Sequence, residues 1–107
     1  MNQIEERRYK TIFQHPANSF DAQTIANHRN DQFAVYGLAA STQFGLTVVY
    51  VGKSKTLRDR LSYWLNNPPG RGITHFYSQA YSTAAAMDSA EQQLIQALQP
   101  IYNTLLK

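Results

Sequence analysis

With 107 residues, of which 43% are hydrophobic, 12% aromatic and 16% charged, the chain has the make-up of one folded domain rather than of a disordered or fibrous protein. The absence of cysteine excludes disulfides, thiolate zinc centres and a cysteine nucleophile. No stretch approaches the length of a membrane span, and the N-terminal run Glu5, Glu6, Arg7, Arg8 carries no apolar signal core, so a cytoplasmic protein without membrane contact is expected. The net charge of +3 and the pI near 9.3 point mildly to an acidic partner.

Gln3 to Phe13 reads as a helix, His15 to Ser19 as turn, and Asp21 to His28 as a second short helix. Residues 1–32 are therefore expected to form an N-terminal helical extension, a surface on which a protein partner or a second copy of the chain would assemble. Strand chemistry begins at Phe33 and continues through Ala40, and after a polar turn the β-branched run Leu46 to Val51 forms the second strand of an antiparallel hairpin. Gly52 ends that strand, and Thr56 followed by Asp59 suggests a capping box opening a helix whose buried face is Leu57, Leu61, Trp64 and Leu65. Arg60 lies at the edge of that face, whereas Arg58 and Asp59 point to solvent. Asn66 to Gly72 stop the helix, a third strand runs from about Thr74 to Tyr81, and a helix from Ser82 to Gln99 is closed by Pro100.

Glu91 is the most informative residue of that last helix. Stepping about 100° per residue, Ala84, Met87, Leu94, Ile95 and Leu98 share one arc, and Glu91 falls near its centre. A carboxylate drawn out of water must be paired, metal-bound or protonated. A second feature is a local excess of cations: Lys53, Lys55, Arg58, Arg60 and Arg71 lie against the single acid Asp59, with Tyr63 and Trp64 interleaved, a pattern suited to a nucleic-acid surface and also to a solvated helix face. A phosphate-loop reading of Lys53 and Ser54 fails, because the six residues between Gly45 and Gly52 are strand residues and not a glycine-rich loop. His15, His28 and His75 have no metal-ligand spacing.

What remains is a set of residues spread over consecutive elements, and here the chain resembles the GIY-YIG nuclease superfamily. Ala34-Val35-Tyr36 stands at that family's first motif, with alanine for its glycine, and Tyr50-Val51-Gly52 matches the second. The stretch from Lys53 to Leu61 resembles the segment carrying the family's arginine, and Glu91-Gln92-Gln93-Leu94-Ile95 with Pro100-Ile101-Tyr102-Asn103 resembles its glutamate helix and the segment after it. Trp64 stands where the family commonly has tyrosine or histidine. The likeness covers residues 33 to 103, and residues 33–107 would form the nuclease domain.

The resemblance implies a small α+β (α/β) fold, a three-stranded antiparallel sheet flanked by helices, with which the order strand, strand, helix, strand, helix agrees. It further implies hydrolysis of DNA phosphodiester bonds with a divalent ion, Mg²⁺ or else Mn²⁺. Glu91 would hold the metal, Arg60 would clamp the phosphate, and Tyr36 and Tyr50 would orient or deprotonate the attacking water. Lys53, Lys55, Arg58, Tyr63 and Arg71 would contact DNA, and Asn103 would bind near the phosphate or cap the backbone of the site. The competing expectation, motivated by Trp64, is a catalytically weak or inactive nucleic-acid-binding module acting with a partner.

Overall fold

The computed structural model describes residue 13 and residues 16–105. The helix expected from Gln3 to Phe13 lies outside the described residues except for Phe13, which is helical and fully buried. From there the elements are β1 (Asn18–Ser19), α1 (Ala22–Ala26), β2 (Phe33–Thr42), β3 (Gly45–Ser54), α2 (Leu57–Asn66), β4 (Ile73–Tyr81), α3 (Ala84–Leu98) and α4 (Ile101–Leu105). The fold is α+β: an antiparallel sheet in the order β1-β4-β2-β3, with helices on both faces. It has four strands rather than the expected three. The extra strand is the two-residue β1, in which Asn18 pairs with Phe76 and Ser19 with His75, covering the outer edge of β4.

Alternation along β2 divides the core into two halves. Val35 and Ala39 face α3 and pack with Phe13, Val48, Val51, Tyr77, Met87 and Leu94. Ala34, Tyr36 and Leu38 face the other way and pack with Ile25 of α1, Leu57 and Leu61 of α2, and Phe76. A β-bulge interrupts the hairpin, since Leu38 pairs with Tyr50 and Ala39 with Val48, leaving Val49 as the extra residue. A bulge of this kind reverses the facing of everything beyond it. Val48 thereby packs under α3 while Tyr50, two residues on, packs with Trp64 on the α2 side.

The ends of the helices are fixed by bonds that the sequence spacing does not reveal. Thr56 is the N-cap of α2, but its side chain makes no capping bond, which corrects the expected Thr56/Asp59 box. Instead the Asn30 side chain reaches across from the α1–β2 connection and accepts the Asp59 N–H at 3.1 Å, and Ser54 Oγ accepts the Thr56 N–H at 2.9 Å. An orphan N–H in the first turn needs an oxygen, and any oxygen held there serves. α3 is capped conventionally, with Thr83 Oγ1 accepting from Ala86 N–H at 3.1 Å and Gln99 in the left-handed region at φ 48° before Pro100.

Candidate active site at the β3 edge

β3 is an edge strand, and its outer backbone is covered at Val51 by a side chain from α4. Asn103 accepts the Val51 N–H at 2.7 Å and donates to the Val51 carbonyl at 2.8 Å, so one amide substitutes for a strand neighbour. Both polar ends of Asn103 are engaged in this way, with the second N–H of its amide left to donate elsewhere. The motif Tyr50-Val51-Gly52 is thus pinned in place from 52 residues away.

Gly52 makes room for a phenol. It pairs with Tyr36 across the hairpin, and a β-carbon at Gly52 would lie 2.5 Å from Tyr36 Oη, 2.6 Å from Tyr36 Cζ and 3.0 Å from Tyr50 Cε2. Its backbone φ is not in the left-handed region, so space and not conformation requires the glycine. Tyr36 is 1% exposed. Its hydroxyl accepts the indole N–H of Trp64 at 2.7 Å, and the Tyr50 ring lies against both, with centroids 6.3 Å from Tyr36 and 5.0 Å from Trp64. Indole is a donor only. Trp64 thus occupies one lone pair of Tyr36 and leaves its O–H to donate.

Burial pushes the Tyr36 hydroxyl well above the ordinary phenol value, with the Trp64 N–H and Arg60 opposing the rise and Tyr50 and Glu91 adding to it. Tyr50, half-buried, is also raised by burial and by Glu91, while Arg60 and the Tyr36 hydroxyl pull it down. Both phenols therefore sense the Glu91 carboxylate on one side and the Arg60 guanidinium on the other. Arg60 projects from α2, on the same side of the sheet as the tyrosines, whereas Glu91 projects from α3, on the opposite side; the two helices flank the same edge strand.

Glu91 has a side chain only 18% exposed, and burial raises its pKa, with Lys53 opposing the rise and Asp88 adding to it. Its cationic neighbour is Lys53 of β3, whose Nζ stands 3.8 Å from Glu91 Oε1 and 2.8 Å from Asp88 Oδ1. The ammonium sits closer to Asp88, one helical turn before Glu91, so the half-buried Glu91 carboxylate keeps the longer of the two ion pairs. Such a group suits a hard cation that keeps most of its water. Among the described residues no three His, Asp or Glu side chains cluster into a fuller metal cage. Asp88 was not singled out in the sequence, although its spacing from Glu91 places both on one helix face.

The remaining expected residues divide between this edge and other parts of the surface. Arg60, Tyr63 and Trp64 line, with Thr56 and Asp59, a groove of about 500 Å³ on α2. Lys55 lies over the Phe33 ring at 5.8 Å, and Arg58 is exposed on the first turn of α2. Arg71 is separate, lining a second depression with Phe20, Leu65, Pro68 and Ile73.

No family model matches the chain. The chain is similar to UvrABC system protein C. The proteins of that name from Stenotrophomonas maltophilia, Xanthomonas axonopodis and Xanthomonas euvesicatoria are each 31% identical to it over 100 residues, covering 86% of this chain. The chain spans 16% of the length of these relatives. Among the described residues, no helix is long and apolar enough to cross a membrane.

Proposed function

We propose that the chain is a GIY-YIG-type endonuclease that hydrolyses DNA phosphodiester bonds with a divalent ion held by Glu91. The observation that carries this reading is the packed cluster at the β3 edge, in which Gly52 leaves room for Tyr36, Tyr36 bonds Trp64 one turn beyond Arg60, Tyr50 lies against both rings, and Lys53 of the same strand stands beside Glu91. The motif likeness and the similarity to UvrABC system protein C support the same reading.

Phosphodiester cleavage needs a positioned nucleophile and neutralisation of charge growing on the phosphoryl oxygens. When bound, Mg²⁺ supplies Lewis-acid polarisation of the phosphate and a more acidic water. Arg60 is a planar, permanently charged fork and binds two phosphate oxygens at once. Tyr50, the more accessible phenol, hydrogen-bonds the attacking water, and Tyr36, sealed behind it and tethered to Trp64, keeps Tyr50 aligned. With both phenols raised above their usual range, their part at neutral pH is orientation through hydrogen bonds rather than standing deprotonation. Lys53 shares its charge between Asp88 and Glu91 and, when a phosphate arrives, turns toward it. Lys55 and Arg58 add phosphate contacts that carry no sequence information.

A panel of labelled DNA and RNA structures incubated with and without Mg²⁺ or Mn²⁺ tests the reading. Metal-dependent DNA products that vanish with Glu91→Ala are expected. Salt-sensitive binding with no product under any metal would instead favour a binding module.

A further inference from the structure

Tyr63 is 53% exposed, one of three large apolar side chains that stand out to solvent among the described residues. The other two, Phe44 at the hairpin turn and Ile101 at the start of α4, lie outside the groove on α2. Tyr63 instead lines that groove, one turn beyond Arg60, and meets the Trp64 ring edge-on with centroids 5.1 Å apart and planes at 73°. The same groove is lined by Asp59, whose side chain makes no ion pair among the described residues, and by the hydroxyl-bearing Thr56. An aromatic face, a guanidinium and an acceptor carboxylate in one open groove match the three parts of a nucleotide strand: base plane, phosphate, and the amino edge of a base.

We infer that the α2 groove binds an unstacked nucleobase adjoining the phosphate held by Arg60, so that the preferred substrate is DNA unpaired at that position. This rests on the reading of Arg60 as a phosphate clamp. In an intact duplex the bases are stacked inward and their faces are closed to a side chain standing beside the backbone. Tyr63 offers its ring one helical turn from Arg60, so only a base rotated out of the stack, or one in a single strand, meets it. Asp59 accepts a hydrogen bond from an exocyclic amine, favouring cytosine, adenine or guanine over thymine. Trp64, the chain's single tryptophan, touches Tyr63 and reports on the groove through its fluorescence.

The test is a titration of the whole protein without divalent ions, so that cleavage plays no part, using a single-stranded oligonucleotide, the same sequence as a perfect duplex, and the duplex with one unpaired nucleotide. Single-stranded and unpaired DNA should bind more tightly than the perfect duplex and quench Trp64. Tyr63→Ala should weaken binding to them roughly five- to hundredfold, the range typical of losing one base–aromatic stack, with a smaller loss for the duplex, and Tyr63→Phe should restore most of the affinity. Equal affinity for all three DNAs, or an equal loss on all three in Tyr63→Ala, overturns the inference while leaving metal-dependent cleavage to be judged separately. No binding of any of the three overturns it as well. Base-selective binding without cleavage in the earlier panel would sink the endonuclease reading alone.

Discussion

Replacing Gly52 with alanine inserts one methyl group at the contact on which both tyrosines depend. The added carbon would stand 2.6 Å from Tyr36 Cζ, against an ordinary carbon–carbon separation of about 3.5–4.0 Å, so the ring must retreat by about 1 Å. An exposed phenol would swing aside at little cost. This one is wholly buried and its hydroxyl is held at 2.7 Å by Trp64, so retreat strains the packing against Leu57 and Leu61 and loosens that bond. Overpacking costs about 1–3 kcal/mol and the hydrogen bond about 0.5–1.5 kcal/mol, together about 1.5–4.5 kcal/mol. For a domain of this size that corresponds to a fall in Tm of at least about 6 °C. Thermal unfolding followed by circular dichroism measures it, and DNA cleavage should fall in parallel at temperatures where the variant is still folded. The two effects should also be coupled: in a Trp64→Phe background, where the hydroxyl is released, the additional cost of Gly52→Ala should be smaller. A Gly52→Ala protein with wild-type Tm and wild-type cleavage would refute the packing argument.

Two further outcomes follow from the same edge. Asn103→Ala removes both bonds to Val51 and should destabilise the fold by about 1–3 kcal/mol, with faster hydrogen exchange at the Val51 amide; unchanged exchange would mean that the strand edge holds without it. Glu91 has its carboxyl pKa raised by burial, so its folded form binds protons more readily than its unfolded form, and stability falls as pH rises from the ordinary carboxylate range through the raised value. Glu91→Gln should therefore be more stable than wild type at neutral pH, with the gap closing below the ordinary glutamate range, and added Mg²⁺ should raise the Tm of wild type but not of the variant. A variant no more stable than wild type at neutral pH would contradict the burial argument, and an equal Mg²⁺ effect on both would remove Glu91 as the metal ligand.

The β2–β3 hairpin, β4 and the helices α2 and α3 were legible because their apolar residues recur at strand or helix period and glycine, proline or asparagine punctuates them. β1 was not, since Asn18 and Ser19 have no strand chemistry and are ordered by the open edge of β4. The bulge at Val49 was equally hidden: strict alternation would put Val48 and Tyr50 on one face, and only pairing with β2 shows that they part. The need of Glu91 for a cation could be read from its place in an apolar stripe, and Lys53 was visible as a charge. That Lys53 lies closer to Asp88 depends on how far α3 sits along β3, which no local pattern states. The helical period puts Trp64 on the buried face of α2, and there it is half-buried. Its N–H on Tyr36 joins residues 28 positions apart, and a bond of that span is set by tertiary packing alone.

The most direct test of the account is the single-turnover rate of cleavage of one labelled DNA in Mg²⁺ by wild type, Arg60→Ala and Glu91→Ala, each first checked for a folded far-ultraviolet spectrum. Wild type should cleave, and each variant should lose at least about a hundredfold in rate, the scale on which removal of one transition-state stabiliser acts. Either variant cutting as fast as wild type would contradict it.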